Sequence, residues 1–283
     1  MIPPGAPLPT PAEVWAIYDA TEARLTAKLS DRMLDLARLR PGMRVLDLAT
    51  GRGEPAIAAA RCVAPGGSVL GVDVSAPMLA MARARADREG VSNLELRVAN
   101  AESLDGVPTA YFDATLARWG LMYMGSPVAA LAAARRAMVP HGVLVAAVWA
   151  EPERVPYFTL PRRVLARYRA LPPEDPEAPG TFRLADPARL QRDFARAGFA
   201  IDHAEELEVP IMEARTGPEV VAWARAFGLA RLLEGLPDEI QAAWENDLVE
   251  AAEPLRRDGL IHLGGVTRIV VAFSNAPTPE APG

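Results

Sequence analysis

A chain of 283 residues with one cysteine and three histidines has few of the side chains that most often bind transition metals or form crosslinks. The lone thiol, Cys62, cannot close an intramolecular disulfide, so the fold must rest on its apolar core, and a reducing compartment suits it. Its place in the alanine-rich stretch 55–63 reads as that of a packed helix thiol. No group of His, Cys, Asp or Glu has ligand spacing, and no metal is expected. Basic residues are outnumbered, 30 Lys and Arg against 36 Asp and Glu, and the net charge of −6 argues against a non-specific nucleic-acid surface. Long apolar runs are also missing. The strongest, Val143 to Ala150, falls far short of the roughly 20 residues that cross a bilayer and reads as a buried strand. The start, Met1-Ile2-Pro3-Pro4-Gly5, has neither the basic flank nor the apolar run of an export signal. A cytoplasmic protein is expected, monomeric or homodimeric, with no nucleic-acid or membrane partner.

What the chain does have is enough apolar material for a sizeable core, 50% hydrophobic residues against 23% charged. No internal repeat is present, and the Pro-rich ends, residues 3–11 and 277–282, read as frayed tails. After a helical segment from Pro11 to Leu39, the turn Arg40-Pro41-Gly42 leads into Val45-Leu46-Asp47-Leu48-Ala49, the first strand. Helix 55–63, strand Val69 to Val74, helix Ala76 to Glu89, strand Leu94 to Val98, strand Phe112 to Ala117, helix 127–138 and strand Val143 to Trp149 follow. Ala200 to Val209 and Thr267 to Phe273 give two more strands, with a helical insert from Thr216 to Arg257 between them. The alternation predicts an α/β fold: a Rossmann-like, seven-stranded, mostly parallel sheet with a final antiparallel strand and helical lid insertions. One domain over 1–283 is expected, with an N-terminal helical cap (1–40), a core (41–150), lid insertions (151–198 and 211–265) and the last strands (199–210 and 266–276).

Ligands of such a sheet bind at the carboxyl ends of the strands. Gly51-Arg52-Gly53 lies there, between the first strand and the alanine-rich helix, where absent side chains let backbone approach a ligand. Asp73, at the end of the second strand, stands where a carboxylate accepts hydrogen bonds from both hydroxyls of a ribose. Together they predict a nucleoside-containing cofactor. Gly51-x-Gly53-x-x-Ala56 also fits a loose dinucleotide fingerprint. Asp47 separates the two readings, because a carboxylate sits badly beside a pyrophosphate and well beside an ammonium group. S-adenosylmethionine carries an ammonium group and no phosphate. After the third strand, the Asn100 side-chain oxygen can accept from an adenine amino group while a backbone amide at Ala101 or Glu102 donates to a ring nitrogen.

Three stretches, Val45-Leu46-Asp47-Leu48-Ala49-Thr50-Gly51-Arg52-Gly53-Glu54-Pro55, Gly71-Val72-Asp73-Val74-Ser75-Ala76-Pro77-Met78-Leu79 and Asn100-Ala101-Glu102, lead to a fourth, Arg118-Trp119-Gly120-Leu121-Met122-Tyr123-Met124. In this order, over roughly residues 11–150, the chain resembles the UbiE-like branch of the class I S-adenosylmethionine-dependent methyltransferases. The resemblance implies that Gly51 and Gly53 shape the methionine pocket, that Asp73 takes the ribose with Val74 and Met78 beside it, that Asn100, Ala101 and Glu102 surround adenine, and that Arg118 sits by the cofactor. S-adenosylhomocysteine would be the product. Ala49 stands where many relatives have glycine, and Asn100 where aspartate is common.

Methyl transfer from a sulfonium is an in-line displacement that rests mainly on positioning. An acceptor hydroxyl can also use a base, and His262, before the last strand, is the candidate; His141 lies at the wrong rim of the sheet and His203 on a surface strand. Trp119, Met122, Tyr123, Trp149 and Tyr157 are expected to line the acceptor side, with Tyr18 and Trp15 of the first helix closing over the cofactor. Arg162, Arg163, Arg167 and Arg169 read as a solvated face with local ion pairs. O-methylation of a specialised, quinone-like or polyketide-like small molecule is the leading expectation. A cyclase or rearrangement catalyst that keeps the cofactor without transferring methyl, a cofactor sensor and a nicotinamide oxidoreductase remain as alternatives.

Overall fold

The computed structural model describes residues 11–173 and 175–274 and, within them, side chains other than those of 11–20, 227, 228 and 230. Of the expected tails at 3–11 and 277–282, Pro11 is described and opens a helix, and the rest, with the side chains of Trp15 and Tyr18, lie outside the described residues. In chain order the elements are α1 (Pro11–Leu36), β1 (Arg44–Leu48), α2 (Ala56–Val63), β2 (Ser68–Asp73), α3 (Ala76–Arg88), β3 (Leu94–Val98), β4 (Phe112–Arg118), α4 (Pro127–Ala137) and β5 (Met138–Trp149). Then come α5 (Pro156–Leu165), α6 (Pro187–Arg196), β6 (Phe199–Ala214), α7 (Gly217–Ala224), α8 (Ala230–Leu233), α9 (Asp238–Ala252), β7 (Arg256–Arg257) and β8 (Leu260–Ser274).

Local chemistry sets the boundaries. Ser75 caps α3 by accepting from the Met78 amide at 3.4 Å, and Ser126 caps α4 by accepting from Ala129 at 3.1 Å; each is followed by a proline in the first turn. The turn into β2 needs Gly67, because a Cβ there would stand 2.4 Å from the Val63 carbonyl oxygen. Strand β1 buries Val45, Leu46, Asp47 and Leu48 on both faces, as the middle of a parallel sheet requires. The sheet has eight strands, ordered β3-β2-β1-β4-β5-β8-β6, with the two-residue β7 paired to β8. Neighbours from β3 through β5 are parallel, and β8 runs antiparallel to β5. The strand order reverses between β2-β1 and β4, the position where α/β sheets open a crevice beyond the strand ends.

Several expectations need correction. The seven-stranded count misses β7, and β6 and β8 run far longer than 200–209 and 267–273. Strand β6 runs on through Pro210 because it is the last strand in the order, where a missing N–H is tolerated. Gly264 and Gly265, inside the expected lid insertion 211–265, lie within β8; a Cβ at 264 would meet the Val209 carbonyl oxygen at 2.1 Å, and one at 265 the Val155 side chain at 2.6 Å. Strand β5 starts at Met138 and takes in Pro140-His141-Gly142, with a register shift against β4 between Phe112 and Ala114. Cys62 is exposed, because α2 buries Ala56, Ile57, Ala59, Ala60 and Val63 and helical periodicity turns residue 62 outward.

Contacts divide the chain into two compact units. Of the described residues, the larger unit takes in those of 28–150, 176–207 and 267–274, and the smaller those of 11–27, 151–175 and 208–266. The stretch 151–198, expected as one insertion, therefore splits, α5 going to the smaller unit and α6 to the larger. Within the smaller unit the fully buried Trp244 donates its indole N–H to the Pro161 carbonyl at 3.3 Å, and Tyr157 packs on Trp223 with ring centroids 4.5 Å apart. The arginine-rich face makes local pairs, Arg167 with Asp247 at 3.0 Å and Arg169 with the Leu232 carbonyl at 2.6 Å.

Candidate functional site

The crevice side of the larger unit is built from the residues that follow β1, β2, β3 and β4. After β1 the chain turns through Ala49, Gly51 and Gly53, all at positive φ (52°, 53° and 96°). Gly53 has no room for a side chain, since a Cβ would meet Ile57 Cδ1 at 2.7 Å, whereas one at Gly51 would face only the Ala49 carbonyl oxygen at 4.0 Å. Gly51 thus keeps an open backbone face, the feature that a ligand approaching the main chain requires. Its amide donates to Asp73 Oδ2 at 2.9 Å, and the Ser75 amide donates to Oδ1 at 2.8 Å. The two bonds orient the carboxylate and leave one further acceptor direction on each oxygen, matching the two hydroxyls of a ribose. Val74 is exposed beside it and Met78 half-buried.

Beyond β3, the Asn100 side-chain oxygen accepts from the Glu102 amide at 2.9 Å. That bond corrects the expectation for Glu102, whose amide is already engaged; Ala101 supplies the candidate donor to adenine, and Asn100 retains a second lone pair. The Glu102 carboxylate accepts from the Gly125 and Ser126 amides at 2.8 and 3.1 Å, so it fastens the loop after β4. Glu102→Gln, which turns one accepting oxygen into an N–H donor, is expected to cost about 1–2 kcal/mol, read as a fall in Tm.

Asp47 is fully buried in β1, and neither of its carboxylate oxygens has a hydrogen-bond partner among the described residues. Burial pushes this carboxyl up to about 7, while the nearby Thr50 hydroxyl and the Arg118 guanidinium act to lower it. An orphaned acid under the glycine turn fits a cationic amino-acid group and would repel a phosphate. Arg118, at the end of β4, stands 5.1 Å from the Trp119 ring centroid. Trp119 itself has φ of 54°, a strained value for a bulky side chain. It stacks on Trp149 with centroids 4.4 Å apart and donates its indole N–H to the Thr267 hydroxyl at 2.6 Å.

The other expected acceptor contacts scatter. Trp149 is only 2% exposed and Met122 fully buried, so both pack inside the unit, whereas Tyr123 is half-exposed and shares a hydrogen bond with Thr181 at 3.1 Å. Tyr157 and His262 belong to the smaller unit. His262 lies within β8, with Nε2 3.3 Å from the Arg257 carbonyl oxygen and Nδ1 3.7 Å from the Glu213 carboxylate. No group of acidic, histidine or cysteine side chains able to hold a metal occurs among the described residues, and no described helix is long and apolar enough to cross a membrane.

This geometry agrees with the chain's relatives. A model of the methyltransferase domain matches residues 45–142. A demethylmenaquinone methyltransferase of Thermus thermophilus is 33% identical over 186 residues, covering 60% of this chain and 80% of that relative. The chain belongs to the class I S-adenosylmethionine-dependent methyltransferases. A nocamycin O-methyltransferase of Saccharothrix syringae is 28% identical over 246 residues, 82% of this methyltransferase and 86% of the relative. In fold, the methyltransferase superposes on a SAM-dependent methyltransferase from Aquifex aeolicus with a TM-score of 0.56 at 15% identity, over 94% of this chain and 99% of that one. S-adenosylmethionine is its cofactor, with the carboxylates and glycine turn suited to hold it. When bound, the cofactor supplies an electrophilic methyl group.

Sequence reasoning passed over Ser30, Thr50, Glu54 and Thr267 as site-forming residues. Ser30 hydrogen-bonds to Glu54 at 3.1 Å and Thr267 to Trp119, both across long sequence separations, and no local motif signals such a bond.

Proposed function

We propose that this methyltransferase methylates an oxygen of a specialised small molecule of polyketide-like or quinone-like character. The observation that carries the reading is the extent of the match to the nocamycin O-methyltransferase, which runs well past residues 45–142. The half-buried Trp119, held at its indole N–H by Thr267 and backed by Trp149, adds an apolar aromatic surface at the carboxyl end of β4. Such a surface suits a broad, uncharged acceptor better than a short charged one. The chain's own residues contribute orientation and exclusion of water, and proximity supplies the rate enhancement.

The test incubates the purified enzyme with S-adenosylmethionine and a panel of phenolic, enolic and quinol acceptors, and reads products by mass spectrometry. A methylene's worth of added mass on oxygen supports the reading; methyl on carbon, or an unchanged mass with a new ring, would replace it. A histidine base is not carried by this geometry, because both ring nitrogens of His262 face acceptors of its own unit. His262→Ala is accordingly expected to leave kcat within about fivefold of the parent, where loss of a general base costs about 10²- to 10⁴-fold.

A further inference from the structure

A chain of polar contacts in the larger unit, part-buried at Ser30, Glu54 and Arg118, joins α1 to the floor of the cofactor site. Ser30, 2% exposed on α1, donates its hydroxyl hydrogen to Glu54 Oε2 at 3.1 Å and accepts from Arg118 Nη1 at 3.4 Å. Arg85 of α3 pairs with the other Glu54 oxygen and, at 2.8 Å, with Glu89, which also pairs with Arg61 of α2. Glu54 is thereby fixed from two sides, and Ser30 transmits that fixity to the Arg118 guanidinium. The charge of Arg118 acts in turn on the orphaned Asp47 carboxylate.

We propose that Ser30, anchored by Glu54, is a positioning residue of the cofactor site: its bridge from Glu54 to Arg118 orients the guanidinium beside the glycine turn whose buried, orphaned Asp47 carboxylate meets the cofactor's ammonium group. The inference rests on the cofactor and is independent of which acceptor is methylated.

The charged groups acting on Asp47 come from three places. Arg118 on β4 favours the anion, while Glu54 before α2 and Asp73 on β2 disfavour it, and burial disfavours it most. With the carboxyl pushed up to about 7, Asp47 carries a proton in mildly acid solution. Binding an ammonium group there releases that proton to the buffer. The sign follows: affinity is highest and flat above the midpoint, and falls about tenfold for each pH unit below it.

The experiment measures S-adenosylhomocysteine binding to the whole chain by calorimetry across the neutral range, in two buffers of different ionisation enthalpy. For the parent protein, up to one proton released per ligand below the midpoint and a slope near one are expected; Asp47→Asn should flatten the profile. Ser30→Ala removes the bond that ties Arg118 to Glu54, so the midpoint should move up and the affinity at pH 7 fall about threefold. Glu54→Gln keeps an oxygen for Ser30 but sheds a negative charge near Asp47, so its midpoint should move down. General loosening would weaken both variants equally at every pH, and that outcome, or an unmoved midpoint in Ser30→Ala, overturns the proposal. If Ser30→Ala does not fold, carbon-13 NMR titration of the Asp47 carboxyl in the parent and in Glu54→Gln decides. A midpoint near neutrality that falls in the variant supports the proposal, and an ordinary carboxylate midpoint in the parent overturns it.

Discussion

Replacing Asp73 by alanine is expected to weaken S-adenosylmethionine binding by about a hundredfold or more while leaving the protein folded. The carboxylate is not an isolated surface charge. Its two oxygens accept from the Gly51 and Ser75 amides at 2.9 and 2.8 Å, so one side chain orders the glycine turn and keeps acceptor directions that the two hydroxyls of a ribose would fill. Hydrogen bonds to a charged acceptor contribute about 1.5–3 kcal/mol each, and alanine removes those made to the ligand together with those that shape the turn. A net loss of about 3–4 kcal/mol corresponds to roughly a hundred- to a thousandfold in Kd. Asp73→Asn keeps one accepting oxygen and should fall between the two, with a loss of about tenfold. Calorimetric titration with S-adenosylhomocysteine measures both, and an alanine variant within threefold of the parent would contradict the ribose assignment. Because Asp73 is partly exposed at a strand end, water can replace the two lost amide bonds, and the same substitution should cost the apo fold about 1–3 kcal/mol, read as a fall in Tm without loss of the folded state.

The cofactor half of this account was legible because its determinants are local. Gly51, Gly53 and Asp73 sit at fixed offsets from strands whose apolar runs are unmistakable, and the structure bonds Gly51 to Asp73 directly. The turn at Asn100 was legible for the same reason, although the Asp73-like directness failed at Glu102. Nothing near Glu102 in sequence shows that its carboxylate will meet the Gly125 and Ser126 amides some two dozen residues on. The acceptor side was less legible. A large apolar or aromatic residue after a strand reads the same whether it ends up exposed like Tyr123 or fully enclosed like its neighbour Met122, because the difference is set by what packs there from elsewhere; the segment around Gly180, whose amide donates to the Met122 carbonyl at 3.0 Å, is such a distant neighbour. Strand lengths failed where residues with two meanings intervene. Pro210 and Gly264 are turn residues by habit, but an edge position and a tight backbone crossing make them strand residues here.

Ala49 raises a question about Gly120 that a double-mutant cycle can answer. Relatives with glycine at the first position of the turn have no Cβ there; this chain keeps one, and at φ of 52° it costs about 1–2 kcal/mol of backbone strain. That methyl group points at Gly120, where an added Cβ would stand 2.6 Å from it, far inside van der Waals contact. Gly120 itself has an ordinary φ of −101°, so what requires glycine is its neighbour and not its backbone. Gly120→Ala is therefore expected to destabilise the protein by about 2–3 kcal/mol, as overpacking of a filled site does. Ala49→Gly relieves the strain but frees the unfolded chain, two terms of similar size, and alone should change stability by less than about 1 kcal/mol. In the double variant the clash has no second partner, so stability should return to within about 1 kcal/mol of the parent, a coupling of about 2 kcal/mol. Urea unfolding of the four proteins measures it, and additive effects would show that Gly120 is needed for its nearness to the Leu48 carbonyl, at 3.4 Å, instead. Since Ala49 lies in the turn that leads to Gly51, cofactor affinity should fall with Gly120→Ala and recover in the double variant, which ties the packing after β4 to the shape of the cofactor site.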